Sequence, residues 1–326
     1  MLKKRQSTYE PPEGKLDADV FRLPFEPSGC LWVIAVDGSD LSMRVVRLAS
    51  FLMNPSFIKS GQRDQVVVVN IVQRGEEENT NLLVTCREEL RKCNLQNVEK
   101  QVALKTIPMP EGWGVGDALV YFTNHVHMGQ TQLVIGAAGK RADGSGFSRL
   151  GSIAEQCLAK VKVPVTIVKG PWGTSVDGDR GAFGRPLRHG MDASTGLQIS
   201  VCIDGSRTGD LAFDAAASFC REGDTLTALH VNSTEETDMM CASKYAVECE
   251  KVRETKNLAG CQFVTVPAKR NSIAEAIVDG SVDADILVMG TVELVNIKKR
   301  NMLGSIAMHI AKATKGHLTI VKNFPR

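Results

Sequence analysis

Apolar positions along this chain fall into two kinds of run. The first kind is short, continuous and rich in β-branched residues: LWVIAVD (31–37), QVVVVNIV (65–72), ALKTIPM (103–109), LVIGAAG (133–139) and VTIVK (165–169). Such runs predict strands buried on both faces. The second kind repeats at three and four residues. Leu82, Cys86, Leu90 and Cys93 share one helix face by that spacing. Helices are predicted at 41–53, around 82–93, from Asp117 as cap to about 128, and at 153–161. The alternation then starts again. Strands are predicted at 198–204, 225–231, 261–267, 285–290 and 317–322, with helices near 207–221, 236–257, 273–281 and 304–314. Ser272 with Glu275 forms a capping-box pair at the third of these helices.

The second round repeats the first in its residues as well. VDGS at 36–39 returns as IDGS at 203–206. LGSIA at 150–154 returns at 303–307, and TIVK at 166–169 returns at 319–322. The order is kept and the offsets are 167, 153 and 153 residues. That is duplication of a whole domain. Strand–helix alternation implies parallel sheets with right-handed crossovers, helices on both faces, and ligands at the carboxyl ends of the strands. The predicted organisation is an extended N-terminal arm over 1–29, a first domain over 30–170, a linker over 171–195, and a second domain over 196–326. The linker segment holds five glycines and two prolines, which suits a connection. Trp172, Phe183 and Leu187 could pin it to a domain.

Composition narrows the function classes. Lys plus Arg is 39 and Asp plus Glu is 37, a net charge of +2. That balance argues against a protein that coats nucleic acid. No apolar run is long enough for a membrane span, and the N-terminus lacks the apolar core of a signal peptide. Nine cysteines are scattered, with no CxxC pair. They read as reduced, mostly structural thiols in a reducing, cytoplasmic compartment.

Candidate chemistry lies where the repeats fall. Gly136-Ala-Ala-Gly139 follows the fourth strand, and Gly151-Ser152 opens a helix whose first amides favour an anion. Lys140, Arg141 and Arg149 add positive charge nearby, and Asp37 ends the first strand across the same crevice. Together they make a mononucleotide site; glycines alone would also suit tight turns. Other signals are weaker. His125 and His127 do not share a helix face and have no ligand partners at metal spacing. The stretch 112–116 is neither a dinucleotide fingerprint nor a Walker A loop, and reads as a loop with a packed Trp113. No hydrolase triad stands out. Ser243, Lys244 and Tyr245 read as helix surface.

These motifs together resemble the universal stress protein family over about 30–170 and 197–323: a strand ending V-D-G-S, G-x-x-G after the fourth strand, a Gly-Ser/Thr helix start, and a closing strand like PVTIVK. The resemblance implies a five-stranded parallel sheet of order 3-2-1-4-5 in each copy, packed as an intramolecular pseudo-dimer through the last strands and open to further oligomerisation. It implies ATP or AMP as ligand, with or without Mg. In the first copy Asp37 would contact the adenosine, the backbone of Ile71 would meet the adenine edge, and Gly136, Gly139, Gly151, Ser152 and the Ile153 amide would hold the phosphates. Eleven residues, where the family has nine, separate Gly139 from Gly151; a loop absorbs two residues at little entropic cost.

The second copy departs further. Asp204, Gly290, Gly304 and Ser305 are kept, but Glu293 replaces the second glycine. A carboxylate there repels phosphate, while Lys298, Lys299 and Arg300 follow close by. The second copy is expected to bind weakly or not at all. Three functions compete: a nucleotide-binding regulatory protein with its site mainly in the first copy, a scaffold that keeps the fold without ligand and docks a protein partner through Phe21, Leu23 and Phe25 of the arm, and at most a slow ATP hydrolase.

Overall fold

The computed structural model describes residues 16–25, 29–53, 64–73, 80–92, 101–127, 130–138, 150–169, 196–232, 235–268, 272–292 and 304–323. The first unit runs β1 (Leu31–Ala35), α1 (Asp40–Leu52), β2 (Gln65–Val72), α2 (Thr80–Lys92), β3 (Val102–Pro108), α3 (Val115–His125), β4 (Thr131–Gly136), α4 (Ser152–Lys160) and β5 (Val165–Val168). The second runs β6 (Gln198–Ile203), α5 (Arg207–Phe219), β7 (Thr225–Val231), α6 (Glu235–Lys256), β8 (Gly260–Val266), α7 (Ile273–Gly280), β9 (Ile286–Val292), α8 (Ser305–Ala313) and β10 (His317–Asn323). Boundaries agree with the periodicity to within a few residues. One detail differs: Asp117 is not the cap of α3. Gly114 holds that place, and the Asp117 carboxylate accepts its amide at 3.0 Å from three residues further on.

The ten strands among the described residues form one sheet in the order β3-β2-β1-β4-β5-β10-β9-β6-β7-β8. Each unit therefore has the expected order 3-2-1-4-5, and the two meet at their last strands. Every pairing inside a unit is parallel; β5 and β10 run antiparallel, with Thr166 opposite Thr319. Helices α1, α2, α5 and α6 cover one face and α3, α4, α7 and α8 the other. Buried Val66, Val67, Val68 and Val69 explain why β2 is a continuous valine run: both of its faces are covered.

The junction explains why TIVK occurs twice. A pair of strands in antiparallel register centred on Thr166 and Thr319 has a local two-fold axis, and their hydroxyls hydrogen-bond at 2.8 Å with almost no exposure. Lys169 then reaches across to the end of α8, donating to the carbonyls of Ala311 (2.6 Å) and Thr314. Lys322 does the reciprocal, donating to the Val161 carbonyl at the end of α4 at 2.6 Å. Each ammonium thus serves the negative end of the other unit's helix. Burial lowers the Lys169 pKa to about 8 and that of neighbouring His317 to about 3. On the other face the Arg221 guanidinium donates to the Phe51 and Met53 carbonyls at the end of α1 and lies 4.5 Å from the Phe51 ring.

Residues 16–25 of the arm fold back on their own unit. A 3-10 turn at Ala18–Phe21 is capped by the Asp17 carboxylate. Phe21 stacks on Phe122 at 5.7 Å and meets Tyr121 at 6.1 Å, and Leu16 is buried. Leu23 and Phe25 pack against the same core. The apolar residues expected to greet a partner are thus engaged in the chain's own fold. Residues 1–15 and the linker 171–195 lie outside the described residues.

Candidate functional site

In each unit the first strand lies between the second and the fourth, and its carboxyl end opens the crevice at the point where strand order reverses. The corner of that crevice in the first unit is Asp37-Gly38-Ser39. Gly38 has φ of 76°, a left-handed conformation that favours glycine. The Asp37 carboxylate accepts the Ser39 amide at 2.9 Å and the Ser42 hydroxyl at 3.1 Å, while the Ser42 Oγ accepts the amides of Asp37 and Gly38. Asp37 therefore shapes the turn with one oxygen while remaining exposed. Asn70, buried at the end of β2, donates to the Val36 carbonyl at 2.9 Å and fixes where β1 ends. Neither Ser42 nor Asn70 was singled out by the sequence. Ile71 is half-buried, two residues beyond the Ala35–Val69 pair that ends the β1 ladder, so its backbone lies at the crevice mouth.

Across the crevice, Gly136 ends β4 and Gly151 caps α4. Neither has a positive φ; both sit where a Cβ would be tightly packed. A Cβ on Gly136 would lie 3.3 Å from the Ala138 carbonyl oxygen and 3.4 Å from Leu41 Cβ, and one on Gly151 would lie 3.1 Å from the Ala137 carbonyl oxygen. The Gly151 amide is engaged by that same carbonyl at 2.7 Å. The next amides, of Ser152 and Ile153, belong to the first helical turn, where the helix offers no carbonyl partner. Ser152 is exposed and Ile153 half-buried. Gly139 and the basic residues Lys140, Arg141 and Arg149 lie outside the described residues; of the others, Asp37, Ile71 and Gly136 lie at the carboxyl ends of β1, β2 and β4, and Gly151, Ser152 and Ile153 at the start of α4.

The second unit rebuilds this frame with different side chains. Gly205 has φ of 77°. The Asp204 carboxylate accepts the Ser206 amide at 3.0 Å and its hydroxyl at 2.6 Å. Glycine at 209 stands where Ser42 stands in the first unit, and Ser206 accepts its amide. His230 takes the place of Asn70: one ring nitrogen lies 3.0 Å from the Ile203 carbonyl oxygen, and the other lies 2.8 Å from the Asp238 carboxylate on α6. Gly290 is tighter than Gly136, with a Cβ there falling 2.4 Å from the Thr208 carbonyl oxygen. Gly304 caps α8 and Ser305 is exposed. Glu293 lies outside the described residues.

A further difference is α6, 22 residues long, whose early turns lie over the corner. A Cβ on Gly205 would meet Met240 Cε at 2.5 Å and Cys241 Sγ at 3.3 Å. Gly38 is exposed, whereas Gly205 is half-buried. Tyr245, expected on the helix surface, is buried, and its hydroxyl donates to the Asp210 carboxylate on α5, which also pairs with Lys244. Burial raises the Asp210 pKa, but the Lys244 and Tyr245 bonds outweigh it and hold the carboxyl below its usual range.

Residues 197–322 match the model of the universal stress protein family. The second unit belongs to that family. The first unit repeats its strand order and motifs, so the chain is a tandem of the universal stress protein fold. A universal stress protein from Archaeoglobus fulgidus shares 15% identity at a TM-score of 0.51, with 90% of this chain and 96% of that one covered. A functionally unknown protein from Pseudomonas aeruginosa shares 11% at 0.54, with 90% and 92% covered. Likeness at those identities is likeness of fold. A comparison with curated proteins gives no match. Among the described residues no helix is long and apolar enough to cross a membrane, and no group of His, Cys, Asp and Glu could hold a metal ion.

Proposed function

We propose that this tandem universal stress protein is a regulatory adenine-nucleotide-binding protein with one competent crevice, in its first unit. The observation that carries this reading is the asymmetry of two crevices built on one frame. In the first, Asp37 at the end of β1 and Ser152 at the start of α4 are both exposed, and the α4 amino terminus presents amides to an anion. In the second, Met240 and Cys241 stand over the matching corner. Asp37 and the Ile71 backbone would meet the nucleoside; the amides of Ser152 and Ile153 and the Ser152 hydroxyl would meet the phosphates, with Gly136, Gly139 and Gly151 allowing close approach. ATP and AMP are the ligands this set suits. Binding, not turnover, is the output this reading assigns to it.

Calorimetric titration of the full chain with ATP and AMP tests the proposal. One nucleotide per chain is expected. Ser152→Glu keeps an acid-tolerant helix start while placing a carboxylate where phosphate would lie, so binding should be lost; Ser305→Glu should change nothing. No heat at millimolar nucleotide, or binding indifferent to Ser152→Glu, would overturn it.

A further inference from the structure

The sheet ends in β3 on one side and β8 on the other. An end strand offers a row of backbone donors and acceptors to any extended chain. The two ends are treated differently. At β3 the Met109 amide donates to the Val72 carbonyl at 2.9 Å. Alternate residues of a parallel strand turn their backbone groups to the same side. Residues 103, 105 and 107 therefore face β2, and the backbone groups of Val102, Leu104, Thr106 and Pro108 face outward. Pro108 has no N–H to offer a neighbour. Lys105 puts a charge on the strand, and its ammonium donates to the Asp19 carbonyl at 3.3 Å, so the arm is tied there too. Proline and lysine are the usual guards of an edge.

Strand β8 has neither guard. Its sequence, GCQFVTV, holds no charge and no proline, and Phe263, Val264, Thr265 and Val266 favour extended backbone. The Asn232 amide donates to the Val266 carbonyl at 3.0 Å. Residues 260, 262, 264 and 266 therefore face β7, and the N–H and C=O groups of Cys261, Phe263 and Thr265 face outward. No described strand pairs with them, and no side chain of β8 is fully buried. The helices that pack on β8 carry apolar surface as well. Met239 and Val247 on α6, and Ile273 and Val282 at the two ends of α7, are exposed. Among the described residues of the first unit, Val84 is the one large apolar side chain exposed to that degree.

We propose that β8 docks a second copy of this chain, β8 to β8, in antiparallel register about a two-fold axis at Phe263. The outward groups suit that pairing. Phe263 exchanges both backbone bonds with Phe263 of the second copy, and Cys261 exchanges its bonds with Thr265 of the second copy. The strand is uncharged, so no like charges meet across the axis. A second copy also brings α6 beside α6 and α7 beside α7, so apolar helix surface flanks the junction from both sides of the sheet. The chain joins its own units by the same device, since β5 and β10 pair antiparallel, strand edge to strand edge. Two copies form one continuous sheet whose free ends are the guarded β3 strands, so the contact is self-complementary and assembly stops at a dimer. The first-unit crevice, at β1 and β4, lies far along the sheet from this junction and stays open.

Sedimentation equilibrium of the full chain, with amide hydrogen exchange read residue by residue at low and high concentration, tests this. A monomer–dimer equilibrium is expected. The amides of Phe263 and Thr265 should exchange freely in the monomer and become protected in the dimer, while those of Gln262 and Val264, already bonded to β7, should be protected in both. Thr265→Pro removes an outward N–H that the chain's own sheet does not use, and with it one hydrogen bond on each side of the axis. It should raise the dimer dissociation constant at least about tenfold. Gln262→Lys, at an exposed side chain, puts a guard charge on the same edge and should weaken the dimer in the same sense. A wild-type chain that stays monomeric at near-millimolar concentration would overturn the proposal. So would a dimer in which the Phe263 and Thr265 amides gain no protection, whatever the folding of the variants. Assemblies that grow beyond two copies would also count against it, because they would mean that β3 is not guarded.

Discussion

The hydroxyl pair on the local two-fold axis gives a prediction whose sign pattern is its signature. Thr166 and Thr319 are 1% and 0% exposed, and their oxygens lie 2.8 Å apart. Valine matches threonine in shape, so Thr166→Val removes one hydroxyl and leaves the other buried without its partner. An orphaned buried hydroxyl costs about 1–3 kcal/mol. Thr319→Val should cost about the same, because the axis makes the two positions alike. The double variant replaces the pair by two methyl groups in an apolar seam and should return to within about 1 kcal/mol of wild type. For a chain of this length, about 2 kcal/mol corresponds to a fall in Tm of about 3 °C if the units melt together. Thermal melts of the four proteins of this cycle, with urea unfolding as a second readout, supply the test. A double variant whose loss equals the sum of the two singles would refute the reasoning, since additivity means that the hydroxyls do not satisfy each other.

Other consequences are as specific. Lys169 has its pKa lowered by burial to about 8 from an ordinary 10.5. Above pH 8 the unfolded chain keeps this proton while the folded chain releases it, so the stability this group contributes rises through that window, by up to about 3 kcal/mol; the wild-type advantage over Lys169→Met in urea unfolding should be larger at pH 10 than at pH 7. Gly290→Ala drives a methyl against the Thr208 carbonyl oxygen and should cost about 3 kcal/mol, whereas Gly304→Ala, with no neighbour within 4 Å among the described residues, should cost less than about 1 kcal/mol in the same assay. Arg221→Ala strips two carbonyls at the end of α1 and a cation–π contact. It should cost about 2 kcal/mol in urea unfolding, more than Arg207→Ala on the exposed start of α5.

The sequence by itself determined the elements, their order and their duplication. Those are local properties: a valine run such as 65–72 is a strand because both faces must be apolar, and a Cys-Leu stripe at three and four residues is a helix because 3.6 residues make a turn. It also determined the corners, since Asp-Gly-Ser at 37–39 and 204–206 demands a left-handed glycine and a carboxylate over the next amides. Repeated strings carried the rest of that legibility, because equal residues at equal offsets report equal roles.

Only the tertiary structure decided what each repeat is for and where the two copies part. TIVK reads as a strand ending; that its threonine lies on a two-fold axis and its lysine serves the other unit's helix follows from pairing residues 153 positions apart. The arm's Phe21 and Leu23 read as a docking segment for a partner, yet Phe21 stacks on Phe122 of α3 and Leu23 packs against the same core. Tyr245 reads as surface because α6 is polar along most of its length, yet the helix packs so that Tyr245 meets Asp210 and Met240 lies over Gly205. In each case the deciding partner is remote in the chain or beyond a turn, and hydrophobic periodicity fixes which face of an element is buried without fixing what is buried against it.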